Sequence, residues 1–227
     1  IRTRVLHVGA GALAAWLVMT LFIGELAITE SARMRTAVFA GGARLLLVFI
    51  VSLHVAHSIA REYSDRTLEL ILGRPVSRCD YYLGKFIGCV AIALVFAALA
   101  AVVTLREAPL GAASVWGCGL ALELIIAIAL ALFAISSLGQ LLPAMTISLA
   151  FHLLARTSGS MLNLAHASTA IGDGPGTRMV VASADLLVRM LPDLSRFAPT
   201  AALLGESSDL TLAYAGVQTL LYCVILL

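Results

Sequence analysis

Apolar runs long enough to cross a bilayer alternate along this chain with short charged clusters. Leu45–Ala60 contains no Asp, Glu, Lys or Arg, and neither does Phe86–Thr104. Between them lies REYSDRTLELILGRPVSRCDYYLGK, Arg61–Lys85, which holds five of the fifteen Lys and Arg residues. A hydrocarbon core of ~30 Å needs about 20 helical residues at 1.5 Å each. Helix is the expected form, because an isolated strand in lipid leaves its backbone groups unsatisfied. The pattern predicts six spans, at 8–28, 37–60, 86–104, 115–138, 141–155 and 210–227. The fifth is short and carries Pro143 in its first turn, where proline is tolerated. The fourth and fifth meet at Gly139-Gln140, which predicts a tight hairpin. A longer polar segment, 156–209, separates the fifth from the sixth and contains the Gly-rich stretch IGDGPGT (171–177). The expected fold is all-α: one polytopic transmembrane domain over 1–227, with about six transmembrane helices.

Composition agrees with lipid as the solvent. Hydrophobic residues make up 61% of the chain and charged residues 12%, against about 25% charged in a soluble domain; mean hydropathy is +1.01. A net charge of +2 draws no polyanion, and no groove of basic and aromatic residues suggests nucleic acid. The four cysteines, Cys79, Cys89, Cys118 and Cys223, show no CxxC or Cys/His spacing, so neither a metal site nor a disulfide frame is expected. They read as buried thiols acting as small apolar residues. The chain opens on Ile1 and closes inside an apolar run, so both ends are expected to be incomplete. Val8–Ile28 exceeds the apolar core of a signal peptide and reads as a retained helix.

Orientation follows the excess of Lys and Arg on cytoplasmic connections. Six spans put Arg2, Arg4 and the five basic residues of 61–85 on one side, and Arg33, Arg35, Arg106, Arg156, Arg178, Arg189 and Arg196 on the other, with Arg44 just inside the membrane. The totals are nearly equal. The density around 61–85 places that connection in the cytoplasm and 156–209 outside.

Within the connection, Asp65 or Thr67 caps a short helix through Leu68, Glu69, Leu70, Ile71 and Leu72. Gly73 and Pro75 stop it. Ser77-Arg78-Cys79-Asp80 has the form of a capping box and opens a helix from Arg78 to Thr104. That helix outruns the bilayer core by two turns, which project into the cytoplasm. The short helix is too short to span. It suits an interfacial helix, a docking element for a partner protein, or a solvated connector.

The stretch resembles the loop between the second and third spans of ABC-2-type permeases, the membrane subunits of ATP-binding-cassette exporters. The matching positions are Glu62, Thr67, Leu68, Glu69, Leu70, Leu72, Pro75, Val76, Ser77, Arg78, Gly84 and Lys85; Arg66 stands where the family usually has Gly. LPDLSRF (191–197) adds a likeness to permease subunits of nitrous-oxide reductase maturation transporters. The resemblance implies a coupling helix that sits in a cleft of a cytoplasmic ATPase, with Glu62, Arg66–Leu70, Leu72 and Pro75–Arg78 as the ATPase-coupling residues. It implies a multi-pass protein of the bacterial inner membrane, with an ABC ATPase dimer and a second permease copy as partners. A periplasmic accessory protein and membrane lipid are further candidates. The chain has no GxxxxGK[ST] loop, so ATP and Mg are expected on the partner ATPase, with no cofactor bound here.

Three ionisable residues interrupt apolar spans: Glu25, Arg44 and Glu123. Each costs about 2.5–3.5 kcal/mol on insertion scales, so each calls for a partner. Their depths put all three in the outer third of the membrane and predict that Arg44 pairs with Glu25 or Glu123. The pair reads as a structural tie or as a polar lining near a substrate exit, and snorkelling of Arg44 is the third reading. His54 and His57 share a helix face without a third ligand, and His152 and His166 lie on either side of the outer end of the fifth span and are uninformative. Residues 178–191 show helical apolar spacing and read as a helix lying on the outer surface. Paired Asp, HExxH and GxSxG patterns are absent, which argues against an intramembrane enzyme. The expected function is the permease subunit of an exporter. The alternative is a structural or assembly membrane protein without transport activity.

Overall fold

A computed structural model of the chain describes residues 2–26, 31–64, 78–169, 194, 203 and 212–226. The described residues contain no strand and form six long helices: α1 (Arg2–Leu26), α2 (Ser31–Ser64), α3 (Arg78–Thr104), α4 (Leu110–Leu138), α5 (Leu141–Thr169) and α6 (Leu212–Leu226). Among them, four are long and apolar enough to cross a membrane, over His7–Glu25, Ala32–Tyr63, Asp80–Thr104 and Leu110–Leu138. The protein is therefore a multi-pass membrane protein. α5 and the shorter apolar stretch Ala215–Leu226 of α6 occupy the places of the fifth and sixth expected spans.

Helix ends follow local chemistry. α3 starts at Arg78 and stops at Thr104, as the Ser77–Asp80 signal and the apolar run indicate; Ser77 itself lies outside the described residues. The turn after α3 closes on Thr104, whose carbonyl accepts from the N–H groups of Glu107 (3.1 Å) and Ala108 (3.0 Å). Pro109 is extended, at φ −64° and ψ 153°. Its carbonyl accepts the N–H of Ala113 at 3.0 Å, so α4 begins five residues before the expected span at 115. α4 ends at Gly139, which is left-handed at φ 65° and donates its N–H to the Ile135 carbonyl at 2.9 Å. A side chain is strained in that region, and glycine makes the reversal possible. α5 then begins at Leu141, with Pro143 in its first turn. It does not stop at 155: the polar stretch ARTSGSMLNLAHAST contains no proline, and the helix continues to Thr169.

α4 is the centre of the bundle. It packs against α2, α3, α5 and α6, while α1 lies against α2 and α3. Trp116, Leu120, Leu124, Ile128 and Ile135 of α4 are fully buried. Close approach depends on small residues. A Cβ on Gly117 of α4 would sit 2.7 Å from the Cβ of Ala101 on α3. Gly42 of α2 lies under the Trp16 ring of α1, whose N–H reaches the Phe39 carbonyl at 3.4 Å. Large apolar side chains such as Phe22, Ile87, Val102 and Leu142 point outward, as lipid permits. Cys89 and Cys223 are buried, but Cys118 is exposed, contrary to the expectation for all four thiols. Its position on α4 faces away from the helices that cover the Trp116–Leu120–Glu123 face.

Candidate functional site

Polar chemistry concentrates at two places along α2. The deeper is built on Arg44, which is fully buried. Its Nε lies 3.2 Å from Oε2 of Glu123 on α4, itself fully buried. Trp116 is two turns from Glu123 on the same helix, and its ring centroid lies 5.9 Å from the Arg44 guanidinium carbon, within cation–π range. α5 adds two groups spaced by one turn. His152 Nε2 is 3.3 Å from Glu123 Oε1, and Arg156 Nη1 is 3.5 Å from the same oxygen. Arg156 also donates to the Leu194 carbonyl at 3.4 Å, and Leu194 packs with Ile126, Ala155 and Ala215.

One carboxylate thus gathers cationic or ionisable groups from two other helices. Away from water each charge is costly unless matched, and attraction between matched charges is strengthened there. Separating α2, α4 and α5 at this level exposes Glu123 and Arg44 to lipid, so the cluster favours one relative placement of the three helices. Glu25 is exposed on α1. His152 and Arg156 were not read as partners from the sequence. The available signal was their four-residue spacing on one helix face, continued by buried Ser148 and Met145. Among the described residues, no group of three or more His, Cys, Asp or Glu is placed to hold a metal ion.

The second place is where α2 ends and α3 begins. Glu62, near the last turn of α2, accepts hydrogen bonds from the Tyr81 hydroxyl and the Lys85 ammonium. Tyr81 and Lys85 are one turn apart on α3, so one carboxylate clasps one face of that helix. Tyr82 meets Tyr81 edge-on, with centroids 5.3 Å apart. Above the clasp, a groove of about 530 Å³ runs between the helices, lined by His54, Ser58, Glu62, Asp80, Tyr81 and Lys85 among others. His54 is half-buried and His57 exposed. Glu62 and Arg78 bracket the connection from α2 and α3. Arg66, Thr67, Leu68, Glu69, Leu70, Leu72, Pro75, Val76 and Ser77, with the short helix expected there, lie outside the described residues. So does the helix expected at 178–191.

A family model described as ABC-2 family transporter protein matches residues 30–164, more than half of the chain. The matched region runs from the start of α2 into α5 and includes both the Glu62 clasp and the Arg44–Glu123–His152–Arg156 cluster. Comparisons with curated proteins and with solved structures returned no match. With its apolar helices and this match, the chain belongs to the ABC-2 family and is a membrane-spanning permease component of an ABC transporter.

Proposed function

We propose that this permease is a subunit of an ATP-driven exporter in the bacterial inner membrane, with residues 61–85 facing the cytoplasm as the coupling element for a separate ATPase dimer. A second copy of the permease completes the assembly. ATP and Mg belong to the ATPase, since this chain has no phosphate-binding loop. α5 and α6 serve as the fifth and sixth membrane spans. The observation that carries the reading is the Glu62 clasp on Tyr81 and Lys85. It ties the two helices that bracket the connection, so a push on residues 65–77 moves α2 and α3 together rather than spreading them.

α2 carries that movement inward. Glu62 and Arg44 are eighteen residues apart on one helix, roughly 27 Å at 1.5 Å per residue. The clasp is thereby linked by a single rod to the buried charge cluster on α4 and α5. Closure of the ATPase pair would tilt the rod against the one placement of α2, α4 and α5 that the cluster favours.

The test is co-expression with an ABC ATPase and measurement of ATP hydrolysis by the purified complex. Glu69→Ala and Pro75→Ala are expected to leave membrane insertion intact and to abolish the permease-dependent stimulation. Failure of any ATPase to co-purify, or labelling of a Ser77→Cys variant only from outside intact cells, would overturn the proposal.

A further inference from the structure

The end of the bundle opposite the 65–77 connection holds a second polar constellation that the coupling reading does not use. There α1 ends, α2 begins and α3 turns toward α4, and a cleft of about 220 Å³ opens between them. At its mouth are Arg35, Arg106 and Glu107. Arg35 Nη2 bonds Glu107 Oε1 at 3.0 Å. The Arg35 stem lies on Gly24, where any Cβ would overlap it, so the guanidinium is held in place from three elements. Its Nε is buried, with no hydrogen-bond partner among the described residues. Further in, the walls change to Leu17, Phe39 and Val103.

Three threonines stand between the charged mouth and the apolar floor. Each donates its hydroxyl proton to its own helix: Thr20 to Leu17 O at 2.7 Å, Thr36 to Ala32 O at 3.0 Å and Thr104 to Ala101 O at 2.7 Å. Their oxygens therefore meet a ligand as acceptors. Two arginines against one carboxylate at the mouth favour an anion. Acceptor oxygens below them favour hydroxyl donors. The apolar floor, at the level where the spans leave the bilayer, favours an acyl chain.

We propose that this cleft binds an anionic phospholipid whose headgroup carries hydroxyls. The phosphate sits against Arg106 and Arg35, the hydroxyls donate to the threonine oxygens, and the first acyl carbons run along Leu17 and Phe39. The site is independent of the direction of transport and of the ATPase, and it rests only on the chain crossing the membrane.

The experiment is native mass spectrometry of the purified full-length permease, delipidated and titrated with phosphatidylglycerol, phosphatidylethanolamine and phosphatidic acid. Phosphatidylglycerol is expected to bind at least about tenfold more tightly than phosphatidylethanolamine. Arg106→Gln, at an exposed position, is expected to remove that preference without lowering the melting temperature. Thr36→Val is expected to bring phosphatidylglycerol down to the level of phosphatidic acid, which lacks the hydroxyls. Soluble glycerophosphoglycerol at the same concentration should not displace the lipid. Equal binding of all three lipids, an unchanged preference in Arg106→Gln, or displacement by the soluble headgroup would each overturn the assignment.

Discussion

α3 and α4 are neighbours of similar length and comparable apolarity, yet they occupy opposite environments. In the most apolar stretch of α4, 72% of residues are buried, against 28% for α3. In water such a difference would be written in the hydrophobic pattern. In lipid it is not, because an outward Leu and an inward Leu are both in apolar surroundings. What separates the two helices is their exceptional residues. α4 carries Glu123 at mid-helix and Gly117 where it meets α3. The charges of α3 stop at Lys85, close to its first turns. In this protein, position in the bundle is set by polar contacts and by small residues rather than by hydropathy.

Glu123 carries the largest part of the difference between the two helices. Glu123→Leu removes the carboxylate that faces Arg44 and His152, and losing one member of a buried charge pair costs about 3–5 kcal/mol. A large fall in thermal stability or folded yield is expected, read by fluorescence-detected size exclusion after heating. Adding Arg44→Leu should recover part of the loss. If the double variant is no better than the single one, the pair does not hold α2 to α4. Next comes truncation on each helix. Leu124→Ala on α4 leaves a cavity and is expected to cost about 2–5 kcal/mol, while Leu99→Ala on lipid-exposed α3 should stay within about 0.5 kcal/mol. Similar melting shifts for the two would contradict a central α4. Gly117→Val tests the α3–α4 approach, with about 1–3 kcal/mol expected from overpacking. A mild effect on stability is also expected for Glu62→Gln. Its ion pair with Lys85 is partly exposed, so less than about 1 kcal/mol is expected. The same variant should still reduce ATPase stimulation if the clasp transmits movement.

Much of the helical plan was legible in the sequence because its signals are local. Gly139 marked the hairpin, and the uncharged run ending at Thr104 marked the end of α3. Arg44 stood out because charge is rare among apolar residues, and Glu123 was one of its two candidate partners for the same reason. The arrangement in three dimensions was less legible. Arg44 could not choose between Glu25 and Glu123 by depth alone, since both lie in the same third of the membrane. Packing chose, by placing α4 rather than the exposed face of α1 beside it. His152, at the outer end of the expected fifth span, showed no partner in the sequence, and Arg156 was missed because the polar residues after 155 read as the start of a loop. Without a proline or a glycine cap, that stretch continues as helix, and its first turn turns Arg156 toward Glu123.

The Arg44–Glu123 contact spans a wide interval of the chain, and this bears on biogenesis. A chain emerging from the ribosome delivers Arg44 to the bilayer before Glu123 has been translated, and His152 and Arg156 come later still. The second helix therefore enters at a time when its carboxylate does not exist, and it settles only when the fourth arrives. Nascent chains arrested before residue 110 should hold the second helix less firmly than full-length chains released from the ribosome, a difference that crosslinking to the insertion machinery can detect.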